Sequence, residues 1–380
     1  MDSLICFSHL RWDFVWQRPQ HLLSRLARDF KIYFVEEPIT STQAQEPFIE
    51  TFPGAGSSNI EIVRLVQPSK EDYWIGHGNP QTQVTYNQLL SQFLQERAIK
   101  EPLIWFYTPM ALDFLSLFPD YKLLIYDVMD QLAAFKGAPV ELVDREKELL
   151  RRADIVLTGG LSLYRSKLPF NPETYLFPSG VEIEHFATAA NQANVTRPAE
   201  LEGLKGPILG YYGVIDERFD LELLRHLAQS RPDWTILLIG PVLKIDEADL
   251  PQSANLHYLG MHSYAELPSY LAFFDVALVP FALNEATQYL SPTKTLEYLA
   301  AGKPVVSTPI NDIVELYGEV VKVAHTPAEF VSQVEAALAA DPAVILPRAK
   351  EILSQATWDS IAEKIKGLFV QKINSLPLKS

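Results

Sequence analysis

The stretch FDVALVPFALNEATQYLSPTKTLEYLAAGKPVVSTPI, residues 274–310, decides the fold. Residues 276–279 form a short apolar run closed by Pro280, the pattern of a strand buried on both faces of a parallel sheet. Ser291 suits the cap of a helix and Pro292 its first position. Gly302 and Pro304 stop that helix before Val305 and Val306 begin another strand. The unit reads strand, long loop, helix, strand.

Lys294 is the unusual residue in this unit. It falls in the first helical turn, where free N–H groups already make the site electropositive, so a cation there is disfavoured unless an anion lies nearby. Phosphate is the natural candidate. Glu297 follows three residues later on the same side of the helix, where it can accept hydrogen bonds from sugar hydroxyls. Together they point to a nucleotide diphosphate; the competing reading is a surface Lys–Glu pair on an ordinary helix.

The segments ELPSYLAFFDVALVPF (266–281) and SPTKTLEYLAAGKPVVSTPI (291–310) resemble the donor half of the GT-B glycosyltransferases, close to the retaining family-four-like, or glycosyl transferases group 1, enzymes. The resemblance covers nearly the whole chain and is strongest over residues 208–310. It implies an α/β fold of two doubly wound Rossmann-like domains facing across a cleft. It also implies two acidic positions on the donor, one touching the transferred sugar and one the ribose. Glu297 fits the second; Tyr289 stands at the first.

Length and composition agree with two domains. A chain of 380 residues can bury two cores, and 48% hydrophobic with 21% charged residues is ordinary for a soluble protein. No apolar run reaches the length of a membrane span, and MDSLICFSHL lacks a secretory pattern, so a cytoplasmic location is expected, including the inner face of the cytoplasmic membrane. Cys6 is the only cysteine and the eight histidines are scattered, so neither a disulfide framework nor a metal site is expected. A net charge of −15 argues against a nucleic-acid partner and leaves peripheral membrane contact through a local basic face open.

Taken in order, residues 4–7 begin the first domain, expected at 1–186. The loop SHLRWDFVWQR that follows is long, and in open parallel sheets such loops form the ligand crevice. His9, Arg11, Asp13 and Arg18 are therefore acceptor-side candidates, Arg18 by the Lys294 argument, as a cation where a helix begins. Trp12, Phe14 and Trp16 read as packing against a helix. Further strands are expected near 32–35, 60–65, 103–107, 123–126, 155–157 and 175–177, with helices over 89–94 and 142–150. GAGSSN at Gly54 follows no convincing strand and lacks the third glycine of a dinucleotide turn, and DEAD at 246–249 has no accompanying phosphate loop. Asp127 reads as a helix cap. By resemblance, Asp130 lies where relatives contact the donor sugar.

PSGVEIEHF (178–186) resembles the family's close of the first domain, and residues 187–205 read as a linker. The second domain is expected at 206–359, with strands near 208–212, 235–239, 256–259 and 320–323. Gly213 allows close backbone approach. By resemblance, Arg218 is a second diphosphate clamp, and the main chain from His257 and Tyr258 to Gly260 holds the base; an ordinary surface Arg beside Glu217 and Asp220 is the alternative. The terminal helix, 360–380, is expected to cross back to the first domain.

The function this implies is transfer of a sugar from a nucleotide-diphosphate donor to a sugar, lipid-linked or other hydroxyl acceptor, in polysaccharide, glycolipid or other cell-surface glycan synthesis. Gly213, Tyr289, Ser291, Pro292, Thr293 and Glu297 would hold the donor. Lys294 and Arg218 would stabilise the departing diphosphate, so no metal or other cofactor is expected. Retention is implied, with the departing phosphate taking the acceptor proton; under inversion the base is Asp130, Asp13 or His9. Two rival functions fit the same residues: a nucleotide-sugar epimerase, and a non-catalytic nucleotide-sugar-binding subunit.

Overall fold

The computed structural model describes residues 1–14, 16–68, 80–135 and 137–375. The chain divides into two compact units. One comprises Met1–Gly159, Leu163–Phe177 and Asp359–Ser380; the other comprises Gly160–Ser162 and Pro178–Trp358.

The first unit is built on β1 (Asp2–Ser8), β2 (Phe30–Glu36), β3 (Ile39–Thr40), β4 (Phe48–Pro53), β5 (Ile60–Gln67), β6 (Leu103–Phe106), β7 (Leu123–Val128), β8 (Ile155–Thr158) and β9 (Thr174–Leu176). Their order is β3-β5-β2-β1-β6-β7-β8-β9, parallel throughout, with β4 antiparallel on β5. The continuous apolar runs behind these strands are what burial on both faces demands; Leu4, Ile5, Ile104, Trp105, Leu124 and Ile125 are fully buried.

The second unit has β10 (Ile208–Tyr212), β11 (Thr235–Ile239), β12 (Leu256–Gly260), β13 (Val276–Val279), β14 (Val305–Ser307) and β15 (Lys322–Val323), all parallel in the order β12-β11-β10-β13-β14-β15. The strand order reverses between β1 and β6 in the first sheet and between β10 and β13 in the second. Ligands of open α/β sheets bind at the carboxyl ends beside such a reversal.

Several boundaries differ from the sequence expectations. The first unit closes at Phe177 rather than at 186. The expected linker, 187–205, is packed: Ala189 and Leu201 are fully buried in the core of the second unit, as is Phe186 just before it. Small residues gave this segment no visible period, yet three short 3-10 turns place its few apolar side chains inward. Gly54 does follow a strand, β4, but it belongs to the β4–β5 hairpin, where its N–H donates to the Ile60 carbonyl at 3.0 Å. The expected strand at 320–323 shrinks to β15.

The terminal helix, Trp358–Ser375, belongs to the first unit from Asp359 onward. Phe369 packs edge-on against Phe30 and Trp105, and Lys366 pairs with Asp29 at 2.9 Å. Residues 376–380 of the expected helix lie outside the described residues.

Candidate functional site

In the second unit the chain turns at Gly213, directly after β10. Its φ of +134° favours glycine, and a Cβ there would lie 2.1 Å from Lys294 Cε and 2.8 Å from the Tyr211 hydroxyl. A side chain at 213 would therefore displace Lys294. The neighbouring strand end is equally close: at Gly240 (φ +142°), after β11, a Cβ would meet the Gly213 carbonyl oxygen at 2.0 Å.

The loop carrying Arg218 is tied on both sides. Its Ile215 bridges to Val242 after β11, and Phe219 bridges to Phe281 after β13. Asn284 Nδ2 donates to the Glu217 carbonyl at 3.0 Å, and the Ala282 N–H to the Arg218 carbonyl at 2.8 Å. Arg218 is thus fixed beside the sheet reversal, and its guanidinium pairs edge-on with Asp216, Nε to Oδ1 at 2.9 Å and Nη2 to Oδ2 at 2.7 Å. Asp220 caps the next helix, Leu221–Ser230, accepting from Leu223 N at 2.8 Å.

Lys294 opens the helix Lys294–Ala300 on the other side of the reversal. It is half-buried, with its ammonium 5.9 Å from the centre of the Tyr211 ring. Desolvation pushes its pKa down; Glu297 and Asp216 act against that shift, Arg218 with it. Among the described residues the ammonium has no hydrogen-bond or ion-pair partner, an unfavourable state for a partly desolvated charge. Glu297, also half-buried, is pushed up by burial, and Lys294 opposes the shift. The Tyr212 hydroxyl approaches Glu297 closely enough to lower its pKa, without closing a hydrogen bond of normal geometry.

The expected cap is different in detail. Thr293, not Ser291, stands at the N-cap position. It already has helical backbone angles and makes no side-chain capping bond. Ser291 and Pro292 precede the helix in a tight turn, in which Thr295 N donates to the Pro292 carbonyl at 3.2 Å. That i→i+3 bond leaves the Ser291 hydroxyl out of the capping position. Tyr289 lies half-buried in the preceding turn. His257 and Tyr258 lie on β12, where the Tyr258 hydroxyl donates to the Pro251 carbonyl at 2.9 Å. The structure therefore gathers Gly213, Arg218, Lys294 and Glu297, and places Tyr289, His257 and Tyr258 on separate segments of the same unit. Asp216, Tyr211 and Tyr212 were missed by the sequence reading; a carboxylate two residues before Arg218 was the available signal for the first.

In the first unit two of the four acceptor-side candidates, Arg18 and Arg11, are held by partners. Arg18 is buried at the start of the helix Arg18–Leu26, its Nε 3.0 Å from both Asp127 carboxylate oxygens and Nη1 donating to the Phe177 carbonyl at 2.7 Å. Asp127 is therefore a buried counter-ion and not a helix cap. Its pKa is raised by desolvation and held back by Arg18. Arg11 turns away from a crevice role: it pairs with buried Glu36 at 3.2 Å and donates to the Glu37 and Pro38 carbonyls. Trp12 is buried against Phe34, whereas Phe14 is 71% exposed and does not pack as expected.

Asp13 is exposed and Asp130 half-buried after β7. His9 follows β1; its Nδ1 is buried without a partner, and burial pushes the imidazole pKa down to about 4. Its burial thus disfavours uptake of a proton.

Comparison with known proteins agrees with this architecture. Residues 207–340 match the family model described as glycosyl transferases group 1. A Bacillus subtilis (strain 168) protein that carries the provisional name teichuronic acid biosynthesis glycosyltransferase TuaH is 30% identical over 247 residues, 60% of this chain and 62% of the relative. The match thus spans less than two thirds of that relative's length.

Among solved structures, sucrose-phosphate synthase from Thermosynechococcus elongatus superposes with a TM-score of 0.73 at 16% identity, over 99% of this chain and 100% of the other. An E. coli trehalose-6-phosphate structure bound with UDP-2-fluoro glucose gives 0.69 at 13% identity over 99% of each chain. The UDP-forming trehalose-phosphate synthase of Burkholderia xenovorans gives 0.70 at 13% identity, again over 99% of each. At these identities the likeness establishes the GT-B fold.

Proposed function

We propose that the chain, whose residues 207–340 match the glycosyl transferases group 1 family model, moves a sugar from a nucleotide-diphosphate donor to a hydroxyl acceptor. The carrying observation is the Lys294 ammonium, partly desolvated and without a hydrogen-bond or ion-pair partner among the described residues, beside Arg218 at the strand-order reversal. A cation in that state is stabilised by an arriving anion, and a diphosphate leaving group gathers charge as its bond to the sugar breaks. Lys294 and Arg218 meet that charge, and the reading requires no metal ion. Glu297 takes the ribose hydroxyls, Gly213 and the Ser291–Thr293 turn admit the phosphates, His257 and Tyr258 border the base, and Tyr289 borders the sugar.

The acceptor falls to the first unit, through His9, Asp13 and Asp130 at the carboxyl edge of its sheet, with Arg11 and Arg18 holding that edge in place. With retention, the departing diphosphate takes the acceptor proton. The name of the Bacillus relative supports an acceptor in cell-surface polysaccharide synthesis. Work at the cytoplasmic face of a membrane fits such an acceptor; among the described residues no helix is long and apolar enough to cross one.

The test is differential melting of the chain with uridine, guanosine and adenosine diphosphates and their sugars. One nucleotide series should raise the melting temperature, since a ligand of the folded state stabilises it by mass action. No shift with any of them would sink the donor-site reading. Tyr289, standing where relatives carry an acid, favours one second reading, a non-catalytic binding subunit. Turnover by the isolated chain with donor and acceptor panels decides between the two.

A further inference from the structure

The two cations of the donor site repel each other: Arg218 lowers the Lys294 pKa while Asp216 and Glu297 raise it. Bringing both to one strand end therefore needs a fixed negative charge between them and the solvent. Two acids precede Arg218, and the structure separates their roles. Glu217 pairs with Lys244 at 3.4 Å. Asp216 is buried, 4% exposed, and accepts from three donors of Arg218: its main-chain N–H at 3.1 Å, Nε at 2.9 and 3.1 Å to the two carboxylate oxygens, and Nη2 at 2.7 Å.

The backbone around Asp216 is already secured by the Ile215–Val242 and Phe219–Phe281 bridges. What its carboxylate adds is the direction of the guanidinium. Edge-on pairing takes the Nε–Nη2 edge of Arg218, and Nη1 is the corner Asp216 does not take.

We propose that Asp216 is a positioning residue for the diphosphate clamp, fixing Arg218 in one orientation and offsetting its repulsion of Lys294, so that both cations stand charged before an anion arrives. This rests on the donor-site reading above. The groups facing Lys294 are the Tyr211 ring from β10, Asp216 and Arg218 from the following loop, and Glu297 from its own helix. Removing the charge at 216 leaves Glu297 as the acid that still offsets the shift at Lys294.

The experiment is calorimetry on the full chain with uridine, guanosine and adenosine diphosphates, using whichever binds. Asp216→Asn should weaken that diphosphate on the order of tenfold and move the alkaline fall in affinity to lower pH. Asp216→Glu, which keeps the charge, should recover part of the loss. In an Arg218→Gln background the Asp216→Asn effect should largely vanish, because the two residues act as one.

Equal weakening in both backgrounds, or an Asp216→Asn protein with wild-type affinity and an unmoved alkaline limb, overturns the inference and leaves the donor site standing. If wild-type chain binds none of the three diphosphates, the donor reading falls first and the inference with it. Should Asp216→Asn not fold, Asp216→Glu decides: affinity and pH limb both like wild type with Arg218→Gln impaired support the role, whereas a wild-type-like Arg218→Gln protein overturns it.

Discussion

Arg18 and Lys294 carry the same local signal, a cation where a helix begins at the carboxyl edge of a parallel sheet, yet the two units treat them in opposite ways. Arg18 is closed in: a carboxylate 109 residues away takes its Nε and a carbonyl from a third segment its Nη1, and only Nη2 is buried without a hydrogen-bond partner among the described residues. Lys294 is left with a ring, a like charge and two acids that do not bond it. The first arrangement satisfies a charge inside the fold, and the second keeps one in reserve for something from outside. The local pattern locates such a cation; only the tertiary partner says whether it is engaged.

The sharpest way to break this contrast is Arg18→Leu. It leaves Asp127 buried without its counter-charge, so a loss of about 3–5 kcal/mol in denaturant unfolding is expected. Diphosphate affinity of the folded protein should not change. Lys294→Ala should do the reverse. Loss of a group that meets charge developing in the transition state should raise the barrier by ~3 kcal/mol, on the order of a hundredfold in rate. Stability should stay level or rise, since a desolvated cation is removed. In wild type, diphosphate affinity should fall as pH rises through the lowered Lys294 pKa, because the neutral amine no longer attracts the anion.

Acid separates the units more gently. The His9 imidazole has a folded pKa of about 4 against an ordinary 6.5, so between these values the unfolded chain binds a proton that the folded chain refuses. Stability is therefore present above 6.5 and lost as pH falls towards 4, by at most roughly 3 kcal/mol for this partly exposed residue. A His9→Gln protein should show a flatter acid limb in urea titrations at several pH values. The smallest effect is expected at Ser291. Because it makes no capping bond, Ser291→Ala should change stability by less than about 0.5 kcal/mol, below the ordinary loss of a cap.

Strands buried on both faces were legible because burial forces an apolar run: residues 235–239 and 276–279 coincide with β11 and β13. β4 was not. Most of its side chains are exposed or half-buried, and its existence depends on pairing with β5, which no local pattern reports. The same limit applied at the sites. Gly213, Lys294 and Glu297 were singled out through chemistry that each residue displays alone and Arg218 through resemblance, whereas the Asp127–Arg18 and Asp216–Arg218 pairs exist only as relations. Segment 187–205 failed for a related reason: a few apolar residues without period can still be buried when turns aim them inward.

The helix from Asp359 onward completes the first unit after the second has intervened in the chain. Phe369 covers Phe30 and Trp105, so those rings wait, during synthesis, for a segment that leaves the ribosome after the second unit. The earlier-made unit is consequently the later one to be finished. A chain ending at residue 358 would lack Phe369 and leave an apolar seam over Phe30 and Trp105 in its older half.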